Sequence, residues 1–171
     1  MCIRDRIKQY VNDTHLDVTS IELGDDFTEA AKCHEIIMNG SISKSLGNYY
    51  KINKSKLHPF TLNRIEAGIS VSAKSYIEAI EKAKKMKQAL SEIFEKFDAI
   101  ITPAAPGQAP RDLLNTGNAI FNGYWTMLGV PAISLPLLKG KDDLPIGVQI
   151  ITSWNNEAEL LDISNIILSQ T

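Results

Sequence analysis

The stretch that most limits what this chain can fold into covers residues 116–151, TGNAIFNGYWTMLGVPAISLPLLKGKDDLPIGVQII. It predicts a short aromatic helix, a tight break at Gly129-Val130-Pro131, and two apolar strands joined by a charged turn. Gly129 tolerates the positive φ that ends a helix, and Pro131 pushes Val130 into an extended conformation. Ala132 to Leu135 is a short apolar run that Pro136 closes. Ile146, Val148 and Ile150 alternate with Gly147 and Gln149, the period of two expected of a strand with one buried face. Residues 140–143, GKDD, suit a surface connection between the two strands.

Upstream, residues 15–22 (HLDVTSIE) alternate imperfectly and read as a strand. Gly24-Asp25-Asp26 is a turn that can cap a helix. Phe27, Ala30, Ala31, His34, Ile37 and Met38 then recur at helical spacing, with Gly40 as the stop. Residues 40–56 are polar and punctuated by glycine and asparagine, which predicts a loop or a pair of short elements. Pro59 marks a break before a short amphipathic piece at 62–68. The clearest helix spans 72–97, where Tyr76, Ile80, Ala83, Met86, Leu90, Ile93, Phe94 and Phe97 form one stripe. Glu78–Lys82, Glu81–Lys85 and Glu92–Lys96 lie at i,i+4 on its other side, each pair stabilising by about 0.2–0.5 kcal/mol. Residues 98–102 (DAIIT) read as a short buried strand, and Pro103, Pro106, Gly107 and Pro110 keep the next stretch irregular. A helix at 156–168 closes the chain, with Glu157 and Glu159 near its positive end.

Composition removes several function classes. A net charge of −2 leaves no basic footprint for nucleic acid. The lysines between Lys82 and Lys87 are interleaved with glutamates upstream and read as a solvated helix face. No apolar run approaches the ~18 residues of a membrane span, and the opening residues lack the apolar core of a signal peptide. Two cysteines, Cys2 and Cys33, fit a reducing, cytoplasmic setting. Cys33 reads as a small buried hydrophobe rather than as half of a Cys33–His34 metal or nucleophile site, and His34 as a packed core or interface residue. Ser41, Ser43 and Lys44 (within GSISKS) suggest a serine–lysine pair. Adjacent residues do not face each other, however, and the segment lacks glycines for an oxyanion hole, so no catalysis is assigned there. Residues 1–6, MCIRDR, fit no capping, strand or targeting pattern. They are set apart as a non-native start or assembly scar, leaving 7–171 as a single partial domain with no internal linker.

Residues 98–110 (DAIITPAAPGQAP), then TG-x3-FN-x2-W-x3-G-x-PA-x-S-x-P, then LP-x-GVQ resemble, in order and spacing, the C-terminal part of the amidase signature family. These are serine hydrolases that cleave carbon–nitrogen bonds. A looser likeness reaches back to about Asp17. The resemblance implies an α/β class: the C-terminal portion of the amidase-signature α/β/α fold with a mixed central sheet. It also implies a mechanism in which one serine attacks the carbonyl and a second relays its proton to a neutral lysine. Backbone N–H groups of a Gly/Ser-rich loop hold the oxyanion. Such a lysine acts as base only where desolvation or neighbours lower its pKa. This chain has no Gly-Gly and no Ser-Ser dipeptide. No catalytic residue is therefore carried onto it; those residues would come from a missing N-terminal part of the same domain, and this chain alone is expected to be inactive.

By the same resemblance, Phe121, Asn122 and Trp125 fall near the family's acyl-binding cleft. They are the substrate-pocket candidates for a small amide, giving an apolar lining with a few orienting hydrogen bonds. For Phe121 and Trp125, plain core packing is the alternative. Gln149 is expected to satisfy sheet-edge or loop backbone groups rather than substrate. No metal and no organic cofactor is implied. Two other readings stand beside the amidase: the A subunit of a tRNA-dependent amidotransferase, and a non-catalytic binding or scaffold domain that retains the amidase core. The TG-x3-FN-x2-W pattern is nearer the general amidases. The residues leave oligomeric state open.

Overall fold

A computed structural model of the chain describes residues 3–112 and 114–170, so Cys2 and the first two positions of the MCIRDR segment lie outside the described residues. Along the chain run α1 (Ile3–Asn12), α2 (Ala30–Asn53), α3 (Pro59–Ile69), α4 (Ala73–Phe94), β1 (Ile100–Pro103), α5 (Ile120–Leu128), β2 (Ala132–Lys139), β3 (Pro145–Ile151) and α6 (Glu157–Ser169), with 3₁₀ turns at Asp25–Phe27 and Lys54–Lys56. The chain divides into two compact units. The first takes the residues up to Leu23 and from Leu90 onward, the second Gly24–Ala89.

In the first unit the three strands are antiparallel in the order β1-β3-β2. Ile150 of β3 lies opposite Ile101 and Ile133, and Val148 opposite Pro103 and Leu135. Val148, Ile150, Ile146, Leu135 and Leu138 join Ile7 of α1 with Leu160 and Ile167 of α6 in one buried cluster. Burying each such side chain stabilises by roughly 1.5–3 kcal/mol. Gln149 and Ile151 alternate to the opposite face, where α5 reaches the sheet through a hydrogen bond to Gln149. The result is a sheet between helices, the expected layering. One expectation for β3 fails: it is buried on both faces, with Gln149 7% exposed and Ile151 fully buried. Pro136 does not end β2 either. On an edge strand it forfeits no ladder bond, and the register slips between Leu135 and Leu138 around it.

Helix α1 takes in residues 3–6, and Ile3 packs against the apolar cluster that Ile7 enters. The N-terminal strand expectation needs correction. Residues 15–22 form no strand. A strand needs a ladder partner, and none of the three described strands pairs with this segment. Leu16 packs on the cluster, while Val18 and Ile21 stay exposed.

In the second unit α2 runs through Gly40 to Asn53, replacing the expected stop and the expected loop over 40–56. The glycine serves packing rather than termination. A Cβ at Gly40 would lie 2.9 Å from the Tyr76 ring, and one at Gly68 of α3 would strike the Asn39 carbonyl of α2. The side chain of His58 accepts from the Phe60 N–H and Pro59 takes the first turn, a pre-organised start for α3. Helix α4 buries Ala83 and Met86 of the predicted stripe, with Ala79 beside them, and its Leu90 belongs with the first unit. Lys82 does not close on Glu78. It bonds Glu29 instead, and Glu78 takes Lys74 at 3.8 Å.

Candidate functional site

All three pocket candidates ride on α5, and local chemistry fixes that helix at both ends. The Asn118 carboxamide oxygen accepts from the Ile120 N–H at 2.9 Å, satisfying a donor at the first turn. At the other end Gly129 adopts φ 69°, ψ 32°, and its N–H donates to the Trp125 carbonyl at 2.8 Å. Trp154 Nε1 donates to the Leu128 carbonyl at 2.8 Å, and its ring meets Phe94 edge-on, centroids 6.2 Å apart.

Asn122 and Trp125, three residues apart, share one side of α5. Asn122 Oδ1 accepts from Gln149 Nε2 at 3.0 Å. Gln149 therefore meets a side chain, not the backbone groups expected of it. Trp125 is 3% exposed, the burial that the core-packing alternative required, yet its indole N–H has no partner among the described residues. Phe121 sits beside Asn122, half-buried.

Strand register adds two residues that sequence reasoning did not single out. Thr102 of β1 and Ser134 of β2 both lie directly opposite Gln149, so the three form one cross-strand row on one face. Thr102 Oγ1 and Gln149 Oε1 are buried without a partner among the described residues. Leaving such an atom unmet costs about 1–3 kcal/mol. Gly147, two residues before Gln149 on the same face, is closely packed: a Cβ there would strike Ser134 Oγ and sit 2.9 Å from Ala104 Cβ. Ser134 itself is exposed, so the row runs from buried to solvent. None of these side chains ionises near neutral pH. The arrangement can grip and orient a polar group, but it offers no proton-transfer pair.

The remaining sequence candidates lie elsewhere. Ser43 donates to the Gly40 carbonyl within α2 at 2.8 Å, and Ser41 meets the Tyr76 hydroxyl of α4 at 3.4 Å. Cys33 is buried, which pushes its thiol pKa up. His34 is half-buried; burial first, then Arg64, lowers its pKa, against Glu35. No group of three or more potential metal ligands occurs among the described residues. On the turn between β2 and β3, Arg111 at 2.7 Å and Gln108 at 2.6 Å hold the Asp142 carboxyl below its usual range.

The family model for Amidase matches residues 15–161. The A subunit of the glutamyl-tRNA(Gln) amidotransferase of Wolbachia sp. subsp. Drosophila simulans (strain wRi) is 31% identical over 108 residues, covering 57% of this chain and 22% of that protein. Its counterpart in Aliarcobacter butzleri (strain RM4018) is 36% identical over 93 residues, 51% of this chain and 20% of that protein. This chain thus spans under a quarter of the length of either relative. Among solved structures, an amidase superposes with a TM-score of 0.83 at 17% identity, over 94% of this chain and 39% of its own. The allophanate hydrolase of Kluyveromyces lactis gives 0.78 at 15%, over 99% and 30%. At such identities these likenesses establish the fold.

Proposed function

This chain belongs to the amidase family, and from that premise we propose that it completes the sheet and forms one wall of the substrate pocket in an amide-cleaving hydrolase. The observation that carries the reading is the coupling of Asn122 to Gln149 on the sheet-facing side of α5, beside the unpartnered Trp125 indole. In this reading Trp125 and Phe121 supply apolar lining for a small amide, and Asn122 supplies an orienting hydrogen bond. The nucleophile, the relay serine and the base lysine belong to a preceding part of the same domain. No membrane-crossing helix occurs among the described residues; the cytoplasmic setting belongs with the proposal.

The test begins at the source locus. An in-frame extension upstream of the Met1 codon, carrying a lysine and a Gly/Ser-rich Ser-Ser stretch, is expected. In that longer protein Trp125→Ala raises KM for amides or lowers kcat/KM by tenfold or more. Unchanged kinetics with reduced stability would return Trp125 to the core and sink the pocket reading.

A second reading has its own support. The relatives at 31–36% identity are amidotransferase A subunits. If this chain serves in one of that kind, the longer protein hydrolyses glutamine in preference to simple aliphatic or aromatic amides, and a partner protein stimulates it. The scaffold reading predicts neither activity, and a stop codon directly before Met1 would favour it.

A further inference from the structure

We propose that the tip of the α2–α3 hairpin, residues 49–60, is a docking surface for an anionic lipid bilayer. The whole-chain charge of −2 averages over an uneven distribution. Residues 36–65 hold Lys44, Lys51, Lys54, Lys56 and Arg64 but no aspartate or glutamate. Two of these cations are spent within the fold. Lys54 pairs with Glu66 at 2.7 Å, and Tyr50 donates to the same carboxylate at 3.2 Å, which fastens the end of α2 to α3. Arg64 donates to Asn39 Oδ1 at 3.2 Å and lies 3.6 Å from Glu35. Lys44, Lys51 and Lys56 are exposed and have no ion pair among the described residues. The tip is therefore a local positive patch.

The same tip shows apolar groups to solvent. Ile52 is 79% exposed, and Tyr49 and Phe60 are 64% exposed. Tyr49 and Ile52, three residues apart, are neighbours on α2, and Lys44 and Lys51, seven apart, share the side next to them. Rings and an aliphatic group flanked by lysines match the boundary of a bilayer. There the apolar groups enter the acyl region while the ammonium groups stay with the headgroup phosphates. A nucleic acid would stack on the two rings but give Ile52 no partner. No helix among the described residues is long and apolar enough to cross a membrane, so the contact is peripheral.

The experiment is flotation of the 171-residue chain with lipid vesicles, in which bound protein rises and self-associated protein sinks. The chain is expected to float with vesicles of mixed phosphatidylcholine and phosphatidylglycerol, less so as salt is raised, and to stay behind with phosphatidylcholine alone. Hydrogen exchange is expected to slow at residues 49–60 on the mixed vesicles. The double variant Lys51→Ala, Lys56→Ala is expected to partition about tenfold more weakly or worse, since each lysine near an anionic surface is worth about fivefold. Ile52→Ser is expected to lose about tenfold by withdrawing the aliphatic group. All three positions are exposed, so both variants are expected to keep the wild-type circular dichroism. Absence of flotation, or equal flotation with phosphatidylcholine alone, overturns the proposal. So does wild-type partitioning of both variants, or protection confined to residues outside 49–60. A single-stranded RNA oligonucleotide that protects 49–60 where the vesicles do not replaces the bilayer with nucleic acid.

Discussion

At the scale of single residues, glycine carries opposite meanings along this chain. At Gly129 the backbone itself demands it, with φ at 69°; Gly129→Ala is expected to cost about 1–2 kcal/mol. At Gly68 the demand is spatial, because the Asn39 carbonyl occupies the space a Cβ would need. Alanine there gains about 1 kcal/mol of helix propensity, but overpacking against a backbone atom costs about 1–3 kcal/mol. Gly68→Ala is thus expected to lower the urea midpoint; a raised midpoint would show that α3 can shift freely. Charge behaves more simply. The hydrogen bond from Lys82, then the attraction of Lys82 and Lys32, holds the Glu29 carboxyl below its ordinary 4.5. A carboxylate with the lower pKa in the folded state contributes fully above the unfolded value and loses that contribution as pH falls through the folded one. The stability gap between wild type and Glu29→Gln should therefore be open at neutral pH and close in acid. It will be small, since both partners are solvent-exposed. A gap unchanged well below pH 4 would assign the effect to packing.

At the scale of elements, α5 is held as much by tertiary partners as by its own residues. Trp154 supplies the donor for the Leu128 carbonyl at the last turn. Trp154→Phe keeps a ring against Phe94 but leaves that carbonyl short of a partner, an expected loss of about 1–3 kcal/mol, read by thermal denaturation. A wild-type melting curve would mean that water replaces the indole at no cost. The stripe of α4 and the Gly129-Val130-Pro131 break were legible because each is a local pattern of spacing and backbone preference. Helix α2 was not legible: Gly40 looks like a stop until Tyr76 is seen filling the space beside it. Residues 15–22 looked like a strand for the converse reason, since alternation cannot reveal whether a ladder partner exists.

At the scale of the whole molecule, both outer strands have one edge unpaired among the described residues. Each carries some protection: β1 is four residues long and ends in Pro103, and β2 contains Pro136 and a register slip. Residues 132–135 of β2, AISL, precede that proline and remain an open apolar edge. Light scattering on the purified chain is therefore expected to show concentration-dependent mass above 18.9 kDa. Pro136→Thr, which restores an edge N–H, should increase it. A monodisperse monomer at all concentrations, with or without that change, would favour a self-sufficient module over part of a larger sheet.

Whatever depended on neighbours in sequence could be read from the chain by itself: the family likeness over residues 98–151, the α5-break-strand order, the stripe of α4, and the placing of Phe121, Asn122 and Trp125 on one short helix. Spacing and backbone preference act within a few residues, so they leave their mark in the sequence. The division into two units, the burial of β3 on both faces and the row through Thr102, Gln149 and Ser134 were decided only by tertiary structure. In that row strand register brings together residues 15 and 47 positions apart, and no local pattern records which of them will share a face or which of their polar atoms will lack a partner.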